Sequence, residues 1–286
     1  TIGALGAGTA AFSVVSIAAG HTLTLSSGTQ TYSGTFAGTG GLSVAGAVQT
    51  LATAITLTDL NVSSGALTLV AANTITNGLS ISGGTVQLRD AAAAGTNAIQ
   101  ASGGTLQVAV VRGSVMTLAN AITVTAGNRV TLSPQTNGGS SGTATVNFGG
   151  TLTINTGGIL QLGAPAANAA YGTDNGAISF GPGANSGTKF QLNGNSFTVT
   201  GLSTNTLAPG APAVENGSAT AVTLTVALPA SGTSTYAGTL RNGGTGSLAL
   251  TLNGGTGSAL TLAGANTHTG NTTVSGGSLI LAHQHA

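Results

Sequence analysis

Four carboxylates make up the acidic inventory of this 286-residue chain: Asp59, Asp90, Asp174 and Glu215. Glycoside cleavage needs two of them facing one bond, one as acid and the other as base or nucleophile. Asp59 and Asp90 come nearest to that requirement, and Asp90 adjoins Arg89. An enzyme would need the acids to converge in one groove. With so few partners on hand, surface or loop polar groups are the preferred reading, and no catalytic residue is assigned. No G-x-S-x-G and no P-loop pattern occurs, so nucleophilic and phosphate chemistry lack support. His283 and His285, two apart, would share one face of a strand and offer two imidazoles to a metal. No carboxylate or cysteine lies near them in sequence, so they read as an exposed polar tail, with no metal site and no cofactor expected. His21 follows Gly20 at a corner and needs no special role. Lys189 is the only lysine, which limits an internal Lys–Asn crosslink to one, and nothing favours it. Asn61, Asn216 and Asn271 open Asn-x-Ser/Thr triplets that could accept glycans in a suitable host.

These few polar groups sit in an unusual background. Charged residues are 3% of the chain against about 25% in an ordinary soluble domain. Hydrophobic residues are 41%, with a mean hydropathy of +0.38, so the chain can bury a large core rather than remain disordered. Glycine, 48 residues, lacks the three-residue period of collagen. The rest is a strand-and-turn vocabulary of Thr, Val, Ile, Leu, Ser and Asn. A net charge of +1, from basic residues that are scattered along the sequence (Arg89, Arg112, Arg129, Lys189, Arg241), argues against nucleic acid. No apolar run reaches the length of a membrane helix, and no membrane insertion is expected. Thr1 to Gly20 lacks a charged leader region, so any signal peptide is taken as already removed. The absence of Cys is compatible with export without disulfides.

The elements that must position these residues announce themselves by repetition. SGGTVQL at Ser82–Leu88 returns as SGGTLQV at Ser102–Val108 and as SGGSLIL at Ser275–Leu281. An alternating strand precedes each double glycine, as in Leu79-Ser80-Ile81, and another follows, as in Val86-Gln87-Leu88. Glycine permits the positive φ of a sharp corner between them. The corners recur at Gly65, Gly84, Gly104 and Gly127, spaced by 19, 20 and 23 residues, and again from Gly255 to Gly277, spaced by 22. Between these sets the spacing stretches, and Gly163-Ala164-Pro165, Gly181-Pro182-Gly183 and Ala208-Pro209-Gly210 read as loops bulging from one face.

Such a period predicts a solenoid. A hairpin sandwich, for which Asn77-Gly78, Asn193-Gly194 and Asn253-Gly254 would serve as turns, gives no reason for the same register after every corner. The expected fold is an all-β, right-handed parallel β-solenoid of roughly 12 coils with loop insertions, the hand following the general crossover preference. It forms a single domain over 1–286, irregular and insertion-rich at about 133–247. Stacking should file Val86, Leu106 and Leu279 into an inner column and Gln87 and Gln107 into an outer amide column. Asp59 and Asp90 would then lie about one and a half coils apart.

The stretch LTLAGANTHTGNTTVSGGSLIL at Leu260–Leu281 resembles the autotransporter-associated β-strand repeat of bacterial surface passengers. Asn266, Thr267, Thr269, Gly270, Thr272, Thr273 and Val274 match it, and His268 replaces the usual Tyr as a partly packed side chain. Tyr32-Ser33-Gly34 and Tyr236-Ala237-Gly238 echo the same corner, and LRDAAAAG at Leu88–Gly95 resembles the alanine-rich loop of such passengers. The resemblance implies export, a parallel β-helix and a surface role without catalysis. No membrane β-barrel follows Leu281, so the chain is expected to be a passenger fragment or a separate subunit.

TIGALGAGTAAFSVVSI at one end is uncharged and SLILAHQHA at the other runs a strand toward the terminus, so neither end reads as capped. The expected function is therefore a non-catalytic extracellular or cell-surface structural protein that associates with itself end to end, or by strand exchange, into a filament or layer. The alternative is an adhesin passenger segment holding surface glycans or host proteins. Ice binding through Thr22-x-Thr24 and Thr56-x-Thr58 is an outsider, because Gln, Ser and Asn interrupt the threonine rows.

Overall fold

Thr85–Leu88 shows how the chain is built: Val86 lies opposite Leu67 on one side and Leu106 on the other, and Gln87 lies opposite Thr68 and Gln107. Both neighbours are parallel strands, one coil before and one coil after. The computed structural model describes residues 2–3, 14–125, 127–205 and 211–284, and among them there is no helix. The protein is a parallel β-solenoid. Its packing divides into two units, one of residues 1–122, 130–146 and 165–170, the other of 123–129, 147–164 and 171–286.

In the first unit Leu42, Leu60 and Leu79 form one inner column, and Leu25, Val44, Val62, Ile81 and Ala101 form the next. Leu67, Val86, Leu106 and Leu132 line a second face. All of these are buried, because period-two alternation points every second side chain inward and parallel pairing keeps those positions in step. Each Val, Leu or Ile among them contributes about 1.5–3 kcal/mol by leaving water. The residues between them point out as matching rows, Thr24–Ser43–Asn61–Ser80–Gln100 on one face and Thr68–Gln87–Gln107–Ser133 on the other. The amide row is bonded: Gln87 Nε2 donates to Gln107 Oε1 at 3.2 Å. Thr56–Leu57 and Thr74–Ile75 pair on a third face.

The repeated double glycine has a steric cause. Gly65, Gly84 and Gly104 all have positive φ and stack on one another at the corner. The carbonyl of Gly84 accepts from Thr105 N of the next coil at 2.9 Å, and a Cβ on Gly104 would sit 2.7 Å from that same oxygen. Any side chain would push the coils apart where their ladder begins.

Asparagines hold other corners. Asn73 accepts from Ile55 N (2.9 Å) and donates to Ala93 O (2.6 Å), tying the coil before to the coil after. Asn120 donates to Gly95 O (2.9 Å) and Asn97 O (2.6 Å). Backbone groups left unpaired by the turn are satisfied by these side-chain amides.

The second unit uses the same plan with longer coils. Leu160, Phe190, Val214 and Leu240 form one inner column, and Val199, Val226 and Leu252 another. Longer coils enclose more volume, and aromatic rings fill it: Tyr171 packs edge-on against Phe197 with centroids 5.5 Å apart, and Phe190 meets Phe197 at 5.6 Å. Gly163–Pro165 and Gly181–Gly183 lie outside strands, as expected of insertions, while Ala208-Pro209-Gly210 falls outside the described residues. Leu279 departs from expectation. It does continue a column, opposite Leu260, but no further coil covers it among the described residues, so it is only half-buried.

Candidate functional site: a charged ladder and an open coil

The strands Lys189–Gln191, Ala213–Glu215 and Thr239–Arg241 lie side by side, so Gln191, Glu215 and Arg241 occupy successive rungs of one row. Gln161 precedes them, opposite Gln191. Strand alternation puts these residues on the opposite side from Phe190, Val214 and Leu240. Glu215 nonetheless has only 4% of its surface exposed, because its neighbours close over it. Arg241 Nε donates to Oε2 at 2.7 Å and Nη2 lies 2.5 Å from the same oxygen. Gln191 Nε2 donates to Oε1 at 2.6 Å, and Lys189 Nζ stands 3.2 Å from it. Burial by itself would push this carboxyl up. The hydrogen bonds from Gln191, Arg241 and Lys189, with the field of Arg241, outweigh it and hold the group below the usual carboxylate range. Arg129 reaches this row with its side chain, its Nη1 donating to Oε1 of Gln161 and of Gln191 at 2.5 and 2.9 Å.

From the sequence Glu215 is expected to be a surface or loop group, and the basic residues are scattered along the chain. The structure corrects both readings for this face: Arg129, Lys189 and Arg241 converge through stacking. The other acids stay apart from it and are held locally. Asp59 accepts from Asn77 Nδ2 at 2.9 Å, and Asp90 accepts from Ala92 N at 2.8 Å inside the alanine-rich loop. Asp174 is exposed, its backbone N donating to Asn147 Oδ1. Among the described residues no three of His, Asp and Glu gather at one point.

The remaining candidates are also placed. His21 is exposed at its corner and His283 is exposed, while His285 lies outside the described residues. His268 is half-buried, with Nε2 3.0 Å from Thr272 Oγ1 and a buried Nδ1 that has no partner, and burial lowers its pKa. The tyrosine corners do share a geometry: the hydroxyls of Tyr32 and Tyr236 lie 3.5 and 3.2 Å from the carbonyls three residues on, Thr35 O and Thr239 O. Of the three glycan triplets, Asn61 and Asn271 are exposed. Asn216 is fully buried, accepting from Gly194 N and donating to Thr220 O and Gly246 O, so it cannot take a glycan in the folded chain.

The last described coil is the second notable feature. Thr272–Gly276 pairs with Leu248–Asn253, and Ser278–Leu281 pairs with Ala259–Leu262; among the described residues neither has a strand on its other side. Val274 stands above buried Leu252, and Leu281 above buried Leu262. Their exposures of 49% and 58% make them the open tops of inner columns. Val14–Ile17 likewise has one strand partner among the described residues, Thr35–Gly38, and Val14 is 62% exposed.

The class this geometry defines is a parallel β-solenoid with a charged cluster on its outer face. No protein-family model matches the chain, and neither a curated protein nor a solved structure matches it.

Proposed function

We propose that this chain is a non-catalytic, extracellular structural protein whose coils continue from one copy onto the next, building a filament or surface layer. The observation that carries the reading is the open coil: among the described residues Thr272–Gly276 and Ser278–Leu281 each pair with a strand on one side only, and Val274 and Leu281 are exposed apolar residues at the tops of inner columns. An uncovered strand edge is a template for another strand. A coil of a second copy supplies the same parallel ladder and the same inward aliphatics that cover every earlier coil, so the junction repeats contacts the fold already makes. Absence of Cys, low charge and the repeat at Leu260–Leu281 support an exported location.

A second reading, a passenger segment that holds glycans at the surface, is favoured by the cations around Glu215.

Sedimentation velocity over a concentration series tests the first reading. The parent chain forms a ladder of end-to-end species, and Val274→Lys with Leu281→Lys sediments as a monomer. A parent that stays monomeric at every concentration and salt ends the proposal.

A further inference from the structure

Three of the chain's five basic residues gather on one outward face with a single carboxylate among them, Lys189 in the row of Ala213 and Arg241 in the neighbouring row of Gln191 and Glu215. Glu215 is consumed internally, pinned by Lys189, Arg241 and Gln191. Two positive charges are therefore left over within this cluster, and Arg129 has no carboxylate within ion-pairing reach among the described residues. Arg129 is exposed, and the side chains of Lys189 and Arg241 keep 26% and 38% of their surface. Surplus charge of one sign on a protein with only nine charged side chains is not diluted by neighbours.

The geometry points to a site for an acidic polysaccharide, a chain of uronate-type carboxylates laid across this face. Successive rungs of a parallel ladder are about 4.8 Å apart, so Lys189 and Arg241, two rungs apart in neighbouring rows, present donors on one face, and Arg129 joins them through the shared amides of Gln161 and Gln191. Guanidinium groups match carboxylates with paired N–H donors. The amides of Gln161 and Gln191 add donors and acceptors suited to hydroxyl groups beside the carboxylates. A nucleic acid is the poorer fit: neither of the two rows holds an aromatic side chain on which a base could stack, and three cations are few for a phosphate backbone.

The inference does not rest on end-to-end stacking, which uses other residues. Isothermal titration of the full chain with polygalacturonate at low salt tests it, with neutral dextran and a single-stranded oligonucleotide as comparators. Polygalacturonate binds, with affinity falling as salt rises, dextran gives no heat, and the oligonucleotide binds more weakly. Arg129→Gln and Lys189→Gln each weaken binding by about tenfold while the circular dichroism spectrum stays that of the parent. Arg129→Gln also leaves sedimentation unchanged, which separates this site from the assembly surface. Absence of binding, dextran binding equal to polygalacturonate, an oligonucleotide that binds as tightly, or folded variants with parental affinity would each overturn it.

Discussion

Gln191 Nε2 sits 2.6 Å from Glu215 Oε1 on the adjacent rung, while Gln191 Oε1 accepts from Arg129. One amide thus carries polarisation from an exposed cation to a nearly buried anion. The arrangement makes Glu215 the polar group whose loss the ladder tolerates least.

Glu215→Gln should destabilise the protein by about 2–3 kcal/mol. A charge-assisted acceptor becomes a group with one acceptor oxygen and an amide donor facing other donors, and two cations lose their partner. Lys189 and Arg241 retain some water contact, which keeps the cost below that of breaking a fully buried pair. Asp59→Asn, at a half-exposed site, should stay within about 0.5 kcal/mol. Urea midpoints of the two variants and the parent check this.

The same difference should depend on pH with a definite sign. Glu215 is depressed in the folded chain, so its contribution is fully present above the unfolded value of about 4.3 and fades as pH falls toward and through the lower folded value. The stability gap between parent and Glu215→Gln should be constant from neutral pH to about 5 and shrink below about 4. A gap that widened on acidification would contradict the assignment.

Tyr236 is fully buried, donating to Pro212 O at 2.7 Å and accepting from Val214 N at 3.1 Å. Tyr236→Phe removes both bonds from the core, leaving Pro212 O with only its bond from Thr239 N and taking from Val214 N its hydroxyl acceptor, at a cost of about 1–3 kcal/mol. Tyr32→Phe, whose hydroxyl lies 3.5 Å from Thr35 O, should cost less. Thermal melts of both variants, compared with the parent, measure the order.

Corner glycines can be divided by the same logic. Gly84 and Gly20 both have positive φ, but a Cβ on Gly84 would sit 2.5 Å from Gly65 O, whereas one on Gly20 meets nothing within 4 Å. Gly20→Ala should cost only the conformational strain of about 1–2 kcal/mol. Gly84→Ala should cost clearly more, since a backbone carbonyl committed to the next rung must shift. Urea melts that ranked the two equally would show that the corner stack is not under steric control.

What the sequence revealed and what it hid follow from where regularity ends. The columns through Val86 and Leu106, and the outward pair Gln87 and Gln107, were legible because alternation and a glycine corner recur at nearly constant spacing there. The ladder around Glu215 was not. Its rungs fall in the stretch where insertions lengthen the coils unevenly, so no fixed offset links Lys189, Glu215 and Arg241, and linear spacing makes them look scattered. Asn216 was hidden for a related reason: its triplet reads as a surface signal, but a corner asparagine in a solenoid turns inward to satisfy three coils. A signal did exist in Lys189-Phe190-Gln191 and Leu240-Arg241, where a charged residue flanks an inner-column residue in strand alternation.

The central claim is that the coil stacking within this chain continues between copies, and oriented-fibre X-ray diffraction tests it most directly. Aligned fibres should give a reflection at about 4.8 Å along the fibre axis, from strands lying across it, and the Val274→Lys, Leu281→Lys variant should form none. Fibres with that reflection perpendicular to the axis, or a variant that forms them as readily as the parent, would contradict the account.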